Sequence, residues 1–222
     1  MMLASPHGVF VESAGSAHVR ESVPGLDRQE VRMLRPKGRP ECRLALRSAC
    51  ATDGEALQTY VRGLSLPSRY NRFLGAVSEL PPLELMRTLA ANGRDTLTLL
   101  LVSTAEDRDT VVGEARVALS CAERAGEFAM SIADEWRRLG VGSALLEEIE
   151  RRAAADGIEW LLGDVLRTNE GMIALARSRG FGLGPGLEGR LIRVHKRLED
   201  AVPDLPCRKW SEIAAVANSS FP

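Results

Sequence analysis

Seven residues near the middle of the chain, Arg137-Arg138-Leu139-Gly140-Val141-Gly142-Ser143, have the makings of an anion cradle. Glycine lets the main chain approach a ligand closely, and this pair stands directly before a run with helical periodicity. The first N–H groups of a helix have no carbonyl partner and lie at the favourable end of its dipole. With basic side chains beside them, the ligand that fits is a phosphate or pyrophosphate. A dinucleotide-binding turn also uses Gly-x-Gly, and Asp164 falls about where its ribose-binding acid would stand. Leu145 replaces the third glycine, however, and residues 134–139 separate the preceding strand from the first. No Gly-Lys-Ser/Thr exists for a nucleotide phosphate loop.

The elements that must position this turn are legible on either side of it. Phe128-Ala129-Met130-Ser131-Ile132-Ala133 reads as the strand before it. From Ala144, the residues Leu145, Leu146 and Ile149 recur at helical spacing with Glu and Arg on the opposite face. Residues 158–165 make a largely apolar strand, so strand, helix and strand should form a right-handed parallel crossover. Upstream, residues 42–48 alternate as a first strand, and Asp53 is expected to cap a helix running to about Gly63. A short helix carries Tyr70, Phe73 and Leu74 on one face, and residues 83–91 form another. Residues 96–103 and 111–119 read as an antiparallel hairpin across the charged loop at 106–109. Downstream come a helix over 169–179, a left-handed cap at Gly180 and a last strand over 191–198.

The chain has 222 residues, 45% hydrophobic and 27% charged, with a formal charge of −1. That suits one globular domain with appended segments, and gives no global attraction to nucleic acid or an anionic membrane. The expected organisation is a flexible leader over residues 1–40, with room for a short docked element, a domain over 41–198 and a tail over 199–222. No apolar run reaches membrane-spanning length, and the start lacks the pattern of a secretory signal. Cys42, Cys50, Cys121 and Cys207 are dispersed and read as reduced thiols of a cytoplasmic protein, either a monomer or a homodimer. His7, His18 and His195 fall in no metal-ligand pattern. Trp136, Trp160 and Trp210 are expected to pack.

The turn matches every fixed position of Arg/Gln-x-x-Gly-x-Gly/Ala, and Asn169 is followed by a helix and Gly180-Phe181. In that order and spacing the two motifs resemble the GCN5-related N-acetyltransferase (GNAT) superfamily, over roughly residues 42–198. The resemblance implies the α/β (α+β) acyl-CoA N-acyltransferase fold, a mixed, mostly antiparallel sheet flanked by helices, with a V-shaped cofactor cleft. Ser65-x-x-Ser68-Arg69-Tyr70-x-Arg72-Phe73, Gly126-Glu127-Phe128-Ala129 and Gly163-Asp164-Val165-Leu166-x-x-Asn169 are more narrowly similar to the GNAT domain of bacterial protein-lysine acetyltransferases.

What the resemblance implies is transfer of an acetyl group from acetyl-CoA to a primary amine, a protein lysine in the narrower case, with no metal. A lysine amine titrates near ~10.4, so making it nucleophilic at neutral pH costs about 4–5 kcal/mol, which a general base must help supply. By resemblance that base is Glu127, with Glu114 on the preceding strand as the alternative. Met130, Ser131 and Ile132 would offer main-chain contacts to the pantetheine arm. Arg137, Arg138, Leu139, Gly140, Val141, Gly142 and Ser143 would hold the pyrophosphate. Asn169 would bond the pantetheine, although an Asn at that point is equally a helix N-cap. Ala176 stands where many members carry a Tyr that protonates the leaving thiolate. Tyr70 fits plain helix packing better than an acceptor contact, and Arg72 would steer an acidic surface or pair with a carboxylate. The other readings are transfer to a small-molecule amine and a non-catalytic acyl-CoA sensor.

Overall fold

The computed structural model describes residues 31–90, 96–105, 108–120 and 124–199. In chain order the strands are β1 (Arg32–Leu34), β2 (Leu44–Ser48), β3 (Thr96–Ala105), β4 (Arg108–Ser120), β5 (Ala125–Ile132), β6 (Trp160–Leu166), β7 (Gly182–Pro185) and β8 (Leu191–Arg197). Helices α1 (Gly54–Gly63), α2 (Leu66–Phe73) and α3 (Pro82–Ala90) lie between β2 and β3. Helix α4 (Val141–Ala155) connects β5 to β6, and α5 (Glu170–Ser178) follows β6. The strands form one sheet in the order β1-β2-β3-β4-β5-β6-β8-β7. Among the described residues only β5 and β6 pair in parallel; every other neighbour is antiparallel. This is the mixed, mostly antiparallel sheet expected from the sequence.

Alternation along β3 explains its unbroken apolar run. Leu99 and Leu101 enter the core shared with Leu145, Leu146 and Ile149 of α4, while Leu100 and Val102 enter the one shared with Leu57 and Val61 of α1. A strand covered on both faces has no side on which to place polar residues.

Several boundaries differ from the sequence reading. Strand β1 lies inside the stretch expected as a leader, and is a short docked element of the kind allowed for there. Strand β7, with two glycines in four residues, carries too little pattern to be seen. Helix α4 begins at Val141, three residues before Ala144, because Gly140 takes φ 81° and turns the chain in one step. Asp53 precedes α1 but makes no side-chain cap there. Its carboxylate accepts from the Cys50 N–H at 2.7 Å and from both outer nitrogens of Arg47, each at 2.7 Å. Burial works against that charge, but these donors outweigh it and hold Asp53 below the usual carboxylate range. Trp136 packs in the core as expected, whereas Trp160 is 40% exposed and tilts against His195. His7, His18, Cys121, Cys207 and Trp210 lie outside the described residues.

Candidate active site

The parallel pair that α4 connects is paired for only three positions: Ala125 with Trp160, Gly126 with Leu161 and Glu127 with Leu162. Beyond them β5 continues to Ile132 and β6 to Leu166 without pairing to each other, so a wedge opens between them. The Ala133 N–H donates to Val112 O on the β4 side at 2.8 Å. Alternation then turns the main-chain groups of Met130 and Ile132 toward the wedge and those of Ser131 toward β4. An extended amide-bearing chain laid along this edge of β5 meets donors and acceptors that β6 does not use, as an added strand would. At the narrow end, a Cβ on Gly163 would lie 3.0 Å from the Phe128 ring and 3.2 Å from its carbonyl oxygen. A β-carbon there would require the Phe128 ring and carbonyl to give way by a few tenths of an ångström.

Helices α4 and α5 both begin at the carboxyl ends of these parallel strands, where ligands of such units bind. The turn into α4 is left-handed at Arg138 (φ 59°) and Gly140 (φ 81°). Gly140 serves as the N-cap, and its carbonyl accepts from Ala144 at 3.2 Å. The N–H groups of Val141, Gly142 and Ser143, in the first turn, have no helical carbonyl to bond. A Cβ on Gly142 would meet Leu175 at 3.5 Å and Ile132 at 3.8 Å, ordinary contacts, which is why the motif admits Ala at this position. Gly140→Ala is therefore expected to cost about 1–2 kcal/mol of stability and to weaken cofactor binding, through a strained left-handed residue. Gly142→Ala should leave stability within about 0.5 kcal/mol. Urea denaturation alongside calorimetric titration of both variants checks the contrast.

Arg137 is turned away from the helix start. Its guanidinium donates to Ser68 Oγ at 2.7 Å and to Ile132 O at 3.4 Å, and pairs with Asp134 at 3.0 Å. Asp134 also receives the Ser68 hydroxyl at 2.7 Å and the Ser65 N–H at 3.1 Å, so the turn is tied to the start of α2. Those donors, against a burial penalty, keep Asp134 below the usual carboxylate range. Behind the turn, the Lys37 N–H donates to Leu139 O at 2.9 Å, and Arg39 stacks over Trp136 at 4.8 Å. This upstream arm had no motif to announce it.

Glu127 stands at the last paired position, where the wedge begins. Its side chain reaches solvent, but surrounding protein strips part of its hydration, and that raises its carboxyl above the ordinary range. Arg193 opposes the rise and Asp164 adds to it. These two face each other across β6 and β8 and bind through two hydrogen bonds, at 2.9 and 2.5 Å.

Glu114 occupies a different environment. It is 3% exposed and receives Arg72 Nε, Arg72 Nη2 at 3.1 Å and the Ser131 hydroxyl at 3.1 Å. The Tyr60 hydroxyl shares a 2.8 Å hydrogen bond with Ser131, and burial raises its phenol. Of the two roles open to Arg72, pairing is the one observed. Tyr70 does not pack as expected: it is 43% exposed, and its hydroxyl accepts from Arg190 at 3.0 Å. That contact joins α2 to the segment between β7 and β8.

Asn169 caps α5, its side-chain oxygen accepting from the Met172 N–H at 3.2 Å. Ala176 is fully buried and offers no proton.

A sheet split between two parallel strands, with unpaired amides at its open end, defines a protein that holds an extended, phosphorylated cofactor. The profile of the acetyltransferase (GNAT) family matches residues 66–181, more than half of the chain. The chain belongs to this family: it is an N-acetyltransferase whose co-substrate is acetyl-CoA. An acetyltransferase of Pseudomonas aeruginosa is 26% identical over 129 residues, covering 58% of this chain and 69% of that one. Among solved structures, the GNAT domain of PAT from S. lividans superposes with a TM-score of 0.68 at 22% identity, over 76% of this chain and 97% of that one. A phosphinothricin acetyltransferase from Sinorhizobium meliloti, solved with AcCoA, gives 0.58 at 21% identity, over 73% and 92%.

Proposed function

We propose that this enzyme acetylates a protein lysine, with Glu127 as general base. The observation that carries the reading is the position of Glu127 at the apex of the wedge, with its carboxyl raised above the ordinary glutamate range by loss of hydration. The pantetheine arm lies along the Met130 and Ile132 edge of β5, with its thioester toward the apex and the pyrophosphate on the first turn of α4. Ser131 takes part by anchoring the strand rather than by its main chain. The incoming ammonium gives one proton to Glu127. The neutral amine attacks the thioester carbonyl, the C–N bond forms and the C–S bond breaks. The bonded nitrogen sheds its second proton to water as the intermediate collapses, and the departing thiolate, weakly basic (a free thiol titrates near ~8.5), takes a proton back from water, consistent with the small side chain at Ala176.

Protein lysine is favoured over a small amine by Ser65, Ser68, Tyr70, Arg72 and the Gly126-Glu127-Phe128-Ala129 stretch, which resemble lysine acetyltransferase domains. The solved relatives also include enzymes named for phosphinothricin and for spermidine, so the acceptor class needs a direct test. Incubating the enzyme and acetyl-CoA with acyl-CoA synthetases, lysine peptides and a small-amine panel, read by mass spectrometry, should give acetyl-lysine on protein at the highest kcat/KM. Faster acetylation of a small amine would overturn the lysine reading and leave the family intact. Free thiols at Cys42 and Cys50 support a reducing, cytoplasmic setting. The domain division at residues 40 and 198 is kept in this reading, with the last ten residues of the leader lending β1 and a docked arm.

A further inference from the structure

Residues Pro36 to Arg39 reach the cofactor turn from a part of the chain far from it in sequence. The Lys37 main chain is fastened there by its hydrogen bond to Leu139 O at 2.9 Å, which does not depend on the side chain. The side chain then runs across the N-cap of α4. Its Cγ, Cδ and Cε lie 3.7, 3.7 and 3.6 Å from where a Cβ on Gly140 would project. Nζ is one bond beyond Cε, and the side chain is exposed. Among the described residues it has neither a hydrogen bond nor an ion pair, unlike Arg39 and Arg137, whose guanidinium groups are engaged with protein.

We infer that Lys37 is an additional binding residue for the diphosphate of acetyl-CoA, closing the cradle from the side opposite α4. This rests on the acetyl-CoA reading of the wedge. A diphosphate held there receives directional hydrogen bonds from α4 and a point charge from the arm.

The test compares wild type, Lys37→Met and Lys37→Glu with three ligands. CoA and dephospho-CoA both contain the diphosphate, and dephospho-CoA lacks only the 3′-phosphate; pantetheine has neither. Calorimetry suits the first two, and ligand-observed NMR the third. We expect Kd for CoA and dephospho-CoA to rise together, by about threefold in the methionine variant and about tenfold in the glutamate variant, as for a partly solvated ion pair. Pantetheine affinity should not change, and the thermal transition of each variant should match wild type. Unchanged CoA affinity in Lys37→Glu overturns the proposal. So does an equal loss with pantetheine, which would mean a distorted turn, and so does an effect confined to CoA, which would move the contact to the 3′-phosphate. A wild-type chain that binds no CoA at all would instead overturn the cofactor reading beneath it.

Discussion

Glu127→Gln should lower the acetyl-transfer rate by about 10²–10⁴-fold while CoA still binds with near wild-type affinity. Glutamine keeps the size of the side chain and loses only the capacity to take a proton. The wedge edge and the α4 turn are untouched, so cofactor binding serves as the internal control. The pH profile sharpens the expectation. Loss of hydration raises the Glu127 carboxyl, so activity should fall with decreasing pH through an apparent pKa above that of an ordinary glutamate. That acidic limb should vanish from the residual activity of the glutamine variant. The stability sign runs the other way. A carboxyl raised in the folded state favours folding while it is protonated, and that contribution is lost as pH rises through the folded pKa. Near neutrality the variant should therefore be no less stable than wild type by thermal melting. Wild-type turnover in Glu127→Gln would remove Glu127 from the role. CoA binding without transfer to any amine by the wild-type chain would favour a sensor.

The largest expected effect on stability lies at Arg72. Arg72→Ala should destabilise the fold by about 3–5 kcal/mol, because it leaves the Glu114 carboxylate buried without its cation. For a domain of this size that corresponds to a drop of roughly 10 °C in Tm. Burial alone would lower the Arg72 pKa, but the adjacent carboxylate more than offsets it, so the guanidinium stays charged. The double variant Arg72→Met with Glu114→Leu removes both charges together and should recover most of the loss. Chemical denaturation of the three proteins measures this directly. Equal destabilisation in the single and double variants would show that packing of α2, rather than charge pairing, is what Arg72 supplies. The pair also bears on function, because Glu114 holds Ser131, the residue between the two wedge-facing positions of β5.

Glu127 and Glu114 show why two acids on neighbouring strands, hard to rank in sequence, separate in the fold. Both face the α1 and α2 side of the sheet. The register of β4 on β5 places Glu114 opposite Ser131 and under Arg72, whereas Glu127 is four residues back along β5, beyond the cover of α2. One is neutralised as a structural anchor and the other keeps a free lone pair. Arg137 makes the same point: as a letter in the motif it resembles Arg138, yet only Arg137 lies within reach of Ser68 and Asp134.

The amino-acid sequence by itself determined whatever is carried by near neighbours along the chain. It specified the strand, glycine turn and helix of the cradle, the parallel crossover, the N-cap at Asn169 and the left-handed residue at Gly180. These depend on periodicity and on local main-chain preference, which a short window contains. The tertiary structure alone decided where β5 and β6 part, which acid is left free, that Tyr70 meets Arg190 rather than packing, and that an arm from residues 36–39 closes over Gly140. Each of those is a meeting of segments distant in sequence, fixed by sheet order and register, and short windows carry no record of register.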